Sequence, residues 1–226
     1  MTRHRRAPGA AVRLRGFTLV ELLVALAAMA LLALISWRGL DSMARAQSQH
    51  SARDEAVLVL QTALAQWGAD LDGATNFGNT PALDWNGRVL RITRQAVDAQ
   101  GSPAARVIAW TVGATADGSS SWLRWQSPPL ASRADWTQAW GTAAAWAESA
   151  LPGADAAATR VLPAASWNVS YFRNGAWSVA VQAQALGTAT LPDGVRLQLQ
   201  LPPGPGLSGL ITRDWLRPTW AGAKTS

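Results

Sequence analysis

Residues 13–35 read RLRGFTLVELLVALAAMALLALI, and this stretch determines the predicted fold. From Phe17 to Ile35 the sequence is polar only at Thr18 and Glu21. A helix of this length, rising 1.5 Å per residue, spans about 28 Å, close to the ~30 Å hydrocarbon core of a bilayer. A carboxylate at the bilayer centre costs about 2.5–3.5 kcal/mol, and less near the interface. The stretch therefore predicts a membrane helix whose carboxylate has a partner.

The positive charge of the chain is concentrated before this helix. Residues 1–16 hold five of the 20 basic residues and none of the 14 acidic ones, so the remainder is close to neutral despite a net charge of +6. The five are Arg3, Arg5, Arg6, Arg13 and Arg15. A near-neutral remainder gives no electrostatic argument for a nucleic-acid partner. Arginine before an apolar helix predicts that this end stays in the cytoplasm and that the rest lies across the membrane, in the periplasm.

Two simpler interpretations explain part of the stretch. A secretory signal peptide has a basic start, an apolar run and small residues at its cleavage site, and residues 28–30 (Ala-Met-Ala) fit such a site. Glu21 would then lie inside the apolar run, which also continues beyond Ala30 to Ile35. An uncleaved anchor of a periplasmic enzyme explains the length and the orientation, but it gives Glu21 no role.

The order Gly-Phe-Thr-Leu-Val-Glu at residues 16–21, followed by the apolar run, resembles the class III signal of type IV pilins and type II secretion pseudopilins. In that family a prepilin peptidase cuts after the glycine and methylates the new amine, which pairs with the carboxylate of a neighbouring subunit. The resemblance implies removal of residues 1–16 as a leader, a cut between Gly16 and Phe17, N-methylation of Phe17, and an assembly role for Glu21.

The helix is predicted to continue well beyond the membrane. No proline occurs between Pro8 and Pro81, and apolar residues recur at helical spacing at Val57, Leu60, Leu64, Trp67 and Leu71. Gly73 is a plausible C-terminal stop. We expect one helix from Phe17 to Leu71, with a transmembrane part at 17–36 and a periplasmic stalk and head part at 37–73. Gly39 is its weak point, costing about 1 kcal/mol relative to alanine.

The pattern changes to short β-like runs after residue 75. Asn174-Gly175 lies between two aromatic-rich runs and predicts a hairpin. Residues 195–201 (VRLQLQL) alternate strictly, as expected for a strand with one buried face, and residues 210–216 predict a last short strand. The predicted class is α+β, a type IV pilin-like fold in which a long N-terminal helix packs on antiparallel β-sheet. The head is expected to cover residues 74–220.

Residues 127–165 are rich in Ala, Pro and Trp and are expected to form an excursion from the sheet with a short helix inside it. Tryptophans fill cores, but they also mark interfaces. We assign five of the 13 Trp to the core: Trp110, Trp122, Trp125, Trp167 and Trp177. The sequence does not decide between core and interface for Trp136, Trp140 and Trp146.

Catalytic and metal-binding patterns are weak. The chain has no cysteine, and of its two histidines His4 would leave with the leader and His50 lies on the predicted helix. Asp70, Asp72 and Asn76 crowd one stretch, but their spacing does not match an oxygen-ligand calcium loop. We therefore expect a structural protein without catalytic residues, metal or cofactor.

A wider resemblance favours the J-type minor pseudopilins of type II secretion. It is carried by SWRGLDSM at 36–43, YFRNGAW at 171–177, LPDGVRLQLQL at 191–201 and RDWLRP at 213–218. The resemblance implies a tip complex with I-type and K-type subunits, priming a pseudopilus for protein export across the outer membrane. It also implies an inner-membrane protein with a periplasmic head. The alternatives are a minor pilin of a type IV pilus or DNA-uptake apparatus, and a membrane-anchored periplasmic enzyme or binding module.

Overall fold

The computed structural model describes residues 16–149, 151–180, 190–204 and 206–218. The chain divides into two compact units, Met1–His50 and Ser51–Ser226. The secondary-structure elements, in chain order, are α1 (Leu19–Asp72), β1 (Leu83–Trp85), β2 (Val89–Val97), β3 (Pro103–Ala114), β4 (Ser120–Gln126), α2 (Arg133–Glu148), a short 3-10 helix (Pro152–Ala154), β5 (Ala158–Pro163), β6 (Ser166–Arg173), β7 (Ala176–Val179), β8 (Gly194–Leu201) and β9 (Gly209–Leu216).

Helix α1 contains 54 residues and begins two residues later and ends one residue later than predicted. The helix is continuous through Gly39, so the predicted weak point does not interrupt it. Residues 16–50 of the first unit are exposed throughout. From Ala63 onward in the second unit, α1 buries one face, at Ala63, Trp67, Asp70 and Leu71. The predicted apolar stripe is thus the face that packs in the head.

The strands form two antiparallel sheets, so the predicted α+β class is confirmed. The first sheet has five strands in the order β1-β2-β3-β4-β5, and the second has four in the order β7-β6-β8-β9. Strands β6 and β7 meet at Asn174 and Gly175, whose φ angles of 51° and 80° are those of a type I′ hairpin turn. Strand β8 alternates between buried and half-buried residues, as its sequence predicts. The last predicted strand is β9, and residues 219 and 220 of the expected head lie outside the described residues.

The main core lies between the end of α1 and the inner faces of both sheets. Trp67 of α1 contacts Trp110 and Trp122 of the five-stranded sheet, with ring centroids 5.7 and 5.5 Å apart. The second sheet contributes its inward-facing residues, listed here in sequence order: Val169, Tyr171, Val195, Leu197, Leu199, Leu201 and Trp215. Four fully buried indoles in this cluster, those of Trp67, Trp85, Trp110 and Trp122, account for much of the apolar area, because each aromatic side chain buries about 150–250 Å².

Residues 127–165 complete the head instead of interrupting it. The helix predicted there is α2, and it packs on the face of the five-stranded sheet opposite the main core. The same interval also supplies β5, the edge strand beside β4, which the sequence analysis did not predict. Its Thr159-Arg160-Val161-Leu162 run is short and only partly buried, so its sequence pattern is weak.

Of the three tryptophans that the sequence left undecided between core and interface, two are core residues. A second core lies between α2 and the face of the five-stranded sheet opposite the main core. Trp136 and Trp146 are buried in it, and Trp140 is half-buried against it. Trp110, Trp122 and Trp125 are buried as predicted, while Trp167 is partly buried against the main core.

The core assignment of Trp177 is wrong. Its ring is half-buried and outside both core clusters, under the Arg196 guanidinium, which lies 4.2 Å from the ring centroid. The ring also packs on Phe172, its cross-strand partner. An aromatic residue on the outer face of a sheet gains stability from such cross-strand pairs without entering the core.

A buried carboxylate ties α1 to the five-stranded sheet. Asp70 is fully buried, and its Oδ1 and Oδ2 accept hydrogen bonds from Arg94 Nη1 at 2.7 Å, Arg124 Nε at 2.7 Å and Trp110 Nε1 at 3.0 Å. Arg124 Nη2 and Gln66 Nε2 also donate to Oδ1, at 2.9 and 3.1 Å. Asp72, two residues on, accepts from Trp215 Nε1 at 2.8 Å. Both aspartates of the short acidic stretch therefore hold the helix end to strands.

We expect Asp70→Asn to lower the free energy of unfolding of the head by about 3–5 kcal/mol, because it leaves two arginines beside a neutral group in a buried site. Urea unfolding of the detergent-solubilised chain would measure this loss. Asp54→Asn is the matched control, since Asp54 is exposed on the same helix and surface changes usually stay within about 0.5 kcal/mol. Equal effects of the two substitutions would contradict the assigned role of Asp70.

The single tyrosine offers a second test. Burial, together with the negative charge of Asp84, raises the pKa of the Tyr171 hydroxyl far above its usual value of about 10. A group with a raised folded pKa contributes its full stability below the unfolded pKa, and this contribution falls as the pH rises further. In alkaline titrations the near-ultraviolet phenolate signal should therefore appear only with cooperative unfolding. A phenolate midpoint near pH 10 in the folded head would refute the buried environment.

Candidate functional site

The first turn of α1 carries the residues that the sequence singles out. Gly16, Phe17 and Thr18 precede the helix, which begins at Leu19. Glu21 N–H donates to Thr18 Oγ1 at 3.3 Å, while Thr18 N–H and Thr18 Oγ1–H both donate to Glu21 Oε2 at 3.0 Å. This reciprocal arrangement is a capping box, in which the N-cap residue and the third helical residue satisfy each other's backbone N–H groups.

The capping box uses only one oxygen of the carboxylate. Both bonds from Thr18 end on Glu21 Oε2, and no described residue donates a hydrogen bond to Oε1. An ionised carboxylate has about four acceptor positions. Glu21 can therefore keep its cap and still accept a cation from outside the subunit. Negative charge in the first turn is also favoured by the helix dipole.

Thr18 is a capping residue of this site that the sequence analysis missed. The signal was present, because Thr-x-x-Glu just before an apolar run is the sequence signature of a capping box. All capping atoms belong to Thr18 and Glu21, on the C-terminal side of the Gly16–Phe17 bond, so a cut at that bond leaves the cap intact. The expected leader, apart from Gly16, lies outside the described residues.

Gly16 has no packing reason to be glycine within the described chain. A Cβ built on it meets no described atom within 4 Å. Phe17 is 86% exposed, so its ring has no place in a core of the first unit. Neither residue is explained by folding of this unit, and both remain available to an external protein.

The helix that follows is apolar and uncovered. Its most apolar 18-residue window has a mean hydropathy of 2.6, and none of that window is buried. A core helix of a globular protein would be mostly covered, so these residues require another apolar environment. The helix suggests a single-pass membrane anchor near the N-terminus.

Two carboxylates of the head have lowered pKa values, and the groups that lower them are local structural partners. The Thr115 hydroxyl lowers the pKa of the Asp117 carboxyl well below its usual range, with further bonds from Ser119 and Arg160. Bonding to Arg196 likewise lowers the pKa of Asp214. His50, the histidine beyond the leader, is exposed on α1. Asp117 lies in the turn between β3 and β4, so its bonds shape that turn.

Comparison with known proteins gives a match at the start of the chain. Residues 13–37 match the family model described as the prokaryotic N-terminal methylation motif. No curated protein matches the chain. The motif indicates a type IV pilin-like or pseudopilin protein, a structural component of filaments, and it implies processing by a prepilin peptidase and assembly into a pilus-like filament. The match covers the start of α1 and leaves the head outside it.

Proposed function

We propose that this chain is a minor pseudopilin of the J type, part of the tip complex that primes the type II secretion pseudopilus with I-type and K-type subunits. The precursor is cut between Gly16 and Phe17, and the new amine of Phe17 is methylated. The chain then lies in the inner membrane with its head in the periplasm, and the filament it starts exports proteins across the outer membrane.

The observation that carries this proposal is the unused oxygen of Glu21. In the membrane an uncompensated carboxylate is costly, and the positive end of α1 offsets only part of that cost. The new amine of a neighbour's Phe17 is a cation of the right size, and Oε1 can accept it while Oε2 keeps its bonds to Thr18. The interaction would therefore be made between subunits, without loss of the helix cap.

The J-type assignment is supported by where its sequence segments lie. YFRNGAW forms the turn between β6 and β7, LPDGVRLQLQL contains β8, and RDWLRP contains the end of β9. These three segments belong to one four-stranded sheet, whose inner face packs in the main core. These three segments thus fall in one structural module of the second unit, and the fourth, SWRGLDSM, lies on α1 within the first unit.

Processing has a direct test. Mass spectrometry of the protein isolated from membranes should show a chain that starts at Phe17 and carries one added methyl group. The same protein from a strain without prepilin peptidase should keep residues 1–16 and lack the methyl group. A mature protein that begins near Leu31, or keeps its arginine-rich start, would contradict the proposal.

The role of Glu21 can be separated from helix capping by two substitutions. Glu21→Gln keeps an oxygen that can accept the Thr18 bonds but removes the charge, whereas Thr18→Val keeps the charge and loses a cap worth about 1 kcal/mol. We expect Glu21→Gln to reduce secretion of a type II substrate at least tenfold, since charge pairing is lost. Thr18→Val should retain most of the activity.

Glu55→Gln is the control for charge loss elsewhere on the exposed surface of α1, and it should secrete normally. Membrane levels of each variant must be compared, so that loss of protein is not read as loss of assembly. Normal secretion by Glu21→Gln at a normal membrane level of the protein would refute a role of Glu21 in assembling the secretion pseudopilus. Normal secretion combined with loss of surface pili would favour a type IV minor pilin instead.

A further inference from the structure

Three arginines of the head line one concavity on the five-stranded sheet, and we call this set the arginine notch: Arg94 on β2, Arg106 on β3 and Arg124 on β4. The notch has a volume of about 290 Å³, and its eight lining residues include no aspartate or glutamate. It lies entirely within the second unit of the chain. Three positive charges clustered in a concave, partly buried site repel one another and are stabilised by negative groups placed beside them.

Asp70 supplies one negative charge and has no capacity left. Its two oxygens already receive five hydrogen bonds, three of them from Arg94 and Arg124. A carboxylate offers about four acceptor positions, so it is saturated. Asp70 makes both ion pairs that the structure shows for the notch, so among the described residues three cations face one anion.

Among the described residues, Arg106 is the arginine of the notch for which the structure shows no ion pair. Its Nε atom is buried and meets no hydrogen-bond acceptor in the described parts of the chain. The strand register also places Arg106 directly opposite Arg94. Like charges directly opposite on neighbouring strands are destabilising, and a buried donor without an acceptor adds to that cost. The notch as it stands is therefore short of an acceptor at Arg106.

We propose that the arginine notch binds an oxyanion: a carboxylate, sulfate or phosphate group held mainly by Arg106, with Arg94 and Arg124 at its sides. Guanidinium groups match these planar or tetrahedral oxyanions with paired N–H donors. A volume of about 290 Å³ admits such a group and excludes a large ligand. The oxyanion comes from a free small ion or from an acidic side chain of a protein partner. This inference does not depend on the proposed secretion role.

The test uses the detergent-solubilised full-length chain in anion-poor buffer. Isothermal titration measures binding of inorganic sulfate at constant ionic strength, and of a short Asp-Asp peptide beside its Asn-Asn counterpart. Arg106→Gln should weaken binding about tenfold or more, because one charged donor group is lost. Arg106→Lys keeps the charge but loses the paired N–H donors of the guanidinium, so it should weaken anion binding less than Arg106→Gln does. Arg213→Gln is the control, an exposed strand arginine outside the notch with the same change in charge.

The thermal unfolding midpoint separates a binding role from a structural one. Without sulfate, Arg106→Gln should unfold at the wild-type temperature or above it, because a like-charge neighbour of Arg94 is removed. Sulfate should raise the midpoint of the wild type and of Arg213→Gln, and leave Arg106→Gln unchanged. A lower midpoint for Arg106→Gln without sulfate would mean that Arg106 stabilises the fold by itself, and would overturn the proposal.

The two ligand sources give different results. Saturable sulfate binding with no preference for the Asp-Asp peptide indicates a free ion, whereas carboxylate-dependent peptide binding that sulfate competes away indicates a protein partner. Either result supports the notch if it is lost in Arg106→Gln and kept in Arg213→Gln. No binding of either probe below about 10 mM, or equal behaviour of the two variants, refutes it.

Discussion

The head depends on the buried carboxylate of Asp70. It accepts hydrogen bonds from Arg94, Trp110 and Arg124, which lie on three adjacent strands of one sheet. An apolar stripe alone would allow α1 to rotate or slide by small amounts, since dispersion contacts are not directional. Because three donors converge on one carboxylate, the rotation of α1 about its axis and its position along the sheet are both fixed. Because breaking a buried ion pair leaves uncompensated charge, departures from this arrangement are costly.

Several of the tryptophans also fix the positions of elements through hydrogen bonds. An indole combines a large apolar area with one N–H donor, so it can fill a core and fix an orientation together. Trp110 donates to Asp70 and Trp215 to Asp72, which joins each sheet to the end of α1. Trp136 of α2 donates to Thr93 of β2 at 3.0 Å on the opposite face of the first sheet. These three tryptophans therefore connect elements far apart in sequence, in a chain without cysteine.

The sequence predicted the elements whose signals are local. The long periodic helix, the Asn174-Gly175 turn and the alternation of β8 all follow from residues that are neighbours in the chain. The division into two sheets, the placement of β5 and the outward position of Trp177 depend on what covers each face, which a single sequence does not contain. At the start of α1 the motif identified Gly16, Phe17 and Glu21 together, and the match to the methylation motif is consistent with it. The capping role of Thr18 has a sequence signature, Thr-x-x-Glu, which the sequence analysis did not use. Which oxygen of Glu21 stays free of the cap depends on side-chain geometry, which the sequence does not contain.

The two carboxylates Glu21 and Asp70 show how differently the same group can be placed in one chain. Asp70 is fully buried and its acceptor positions are filled by its own chain, so it can hold a fold but cannot bind anything further. Glu21 is exposed, and the described part of its own chain supplies donors to only one of its two oxygens. A carboxylate in an apolar environment gains most from a cation when its remaining lone pairs are free and its position is already fixed. The capping box already fixes Glu21 within its own subunit, so the proposed pairing with a cation would cost little further ordering of that side chain.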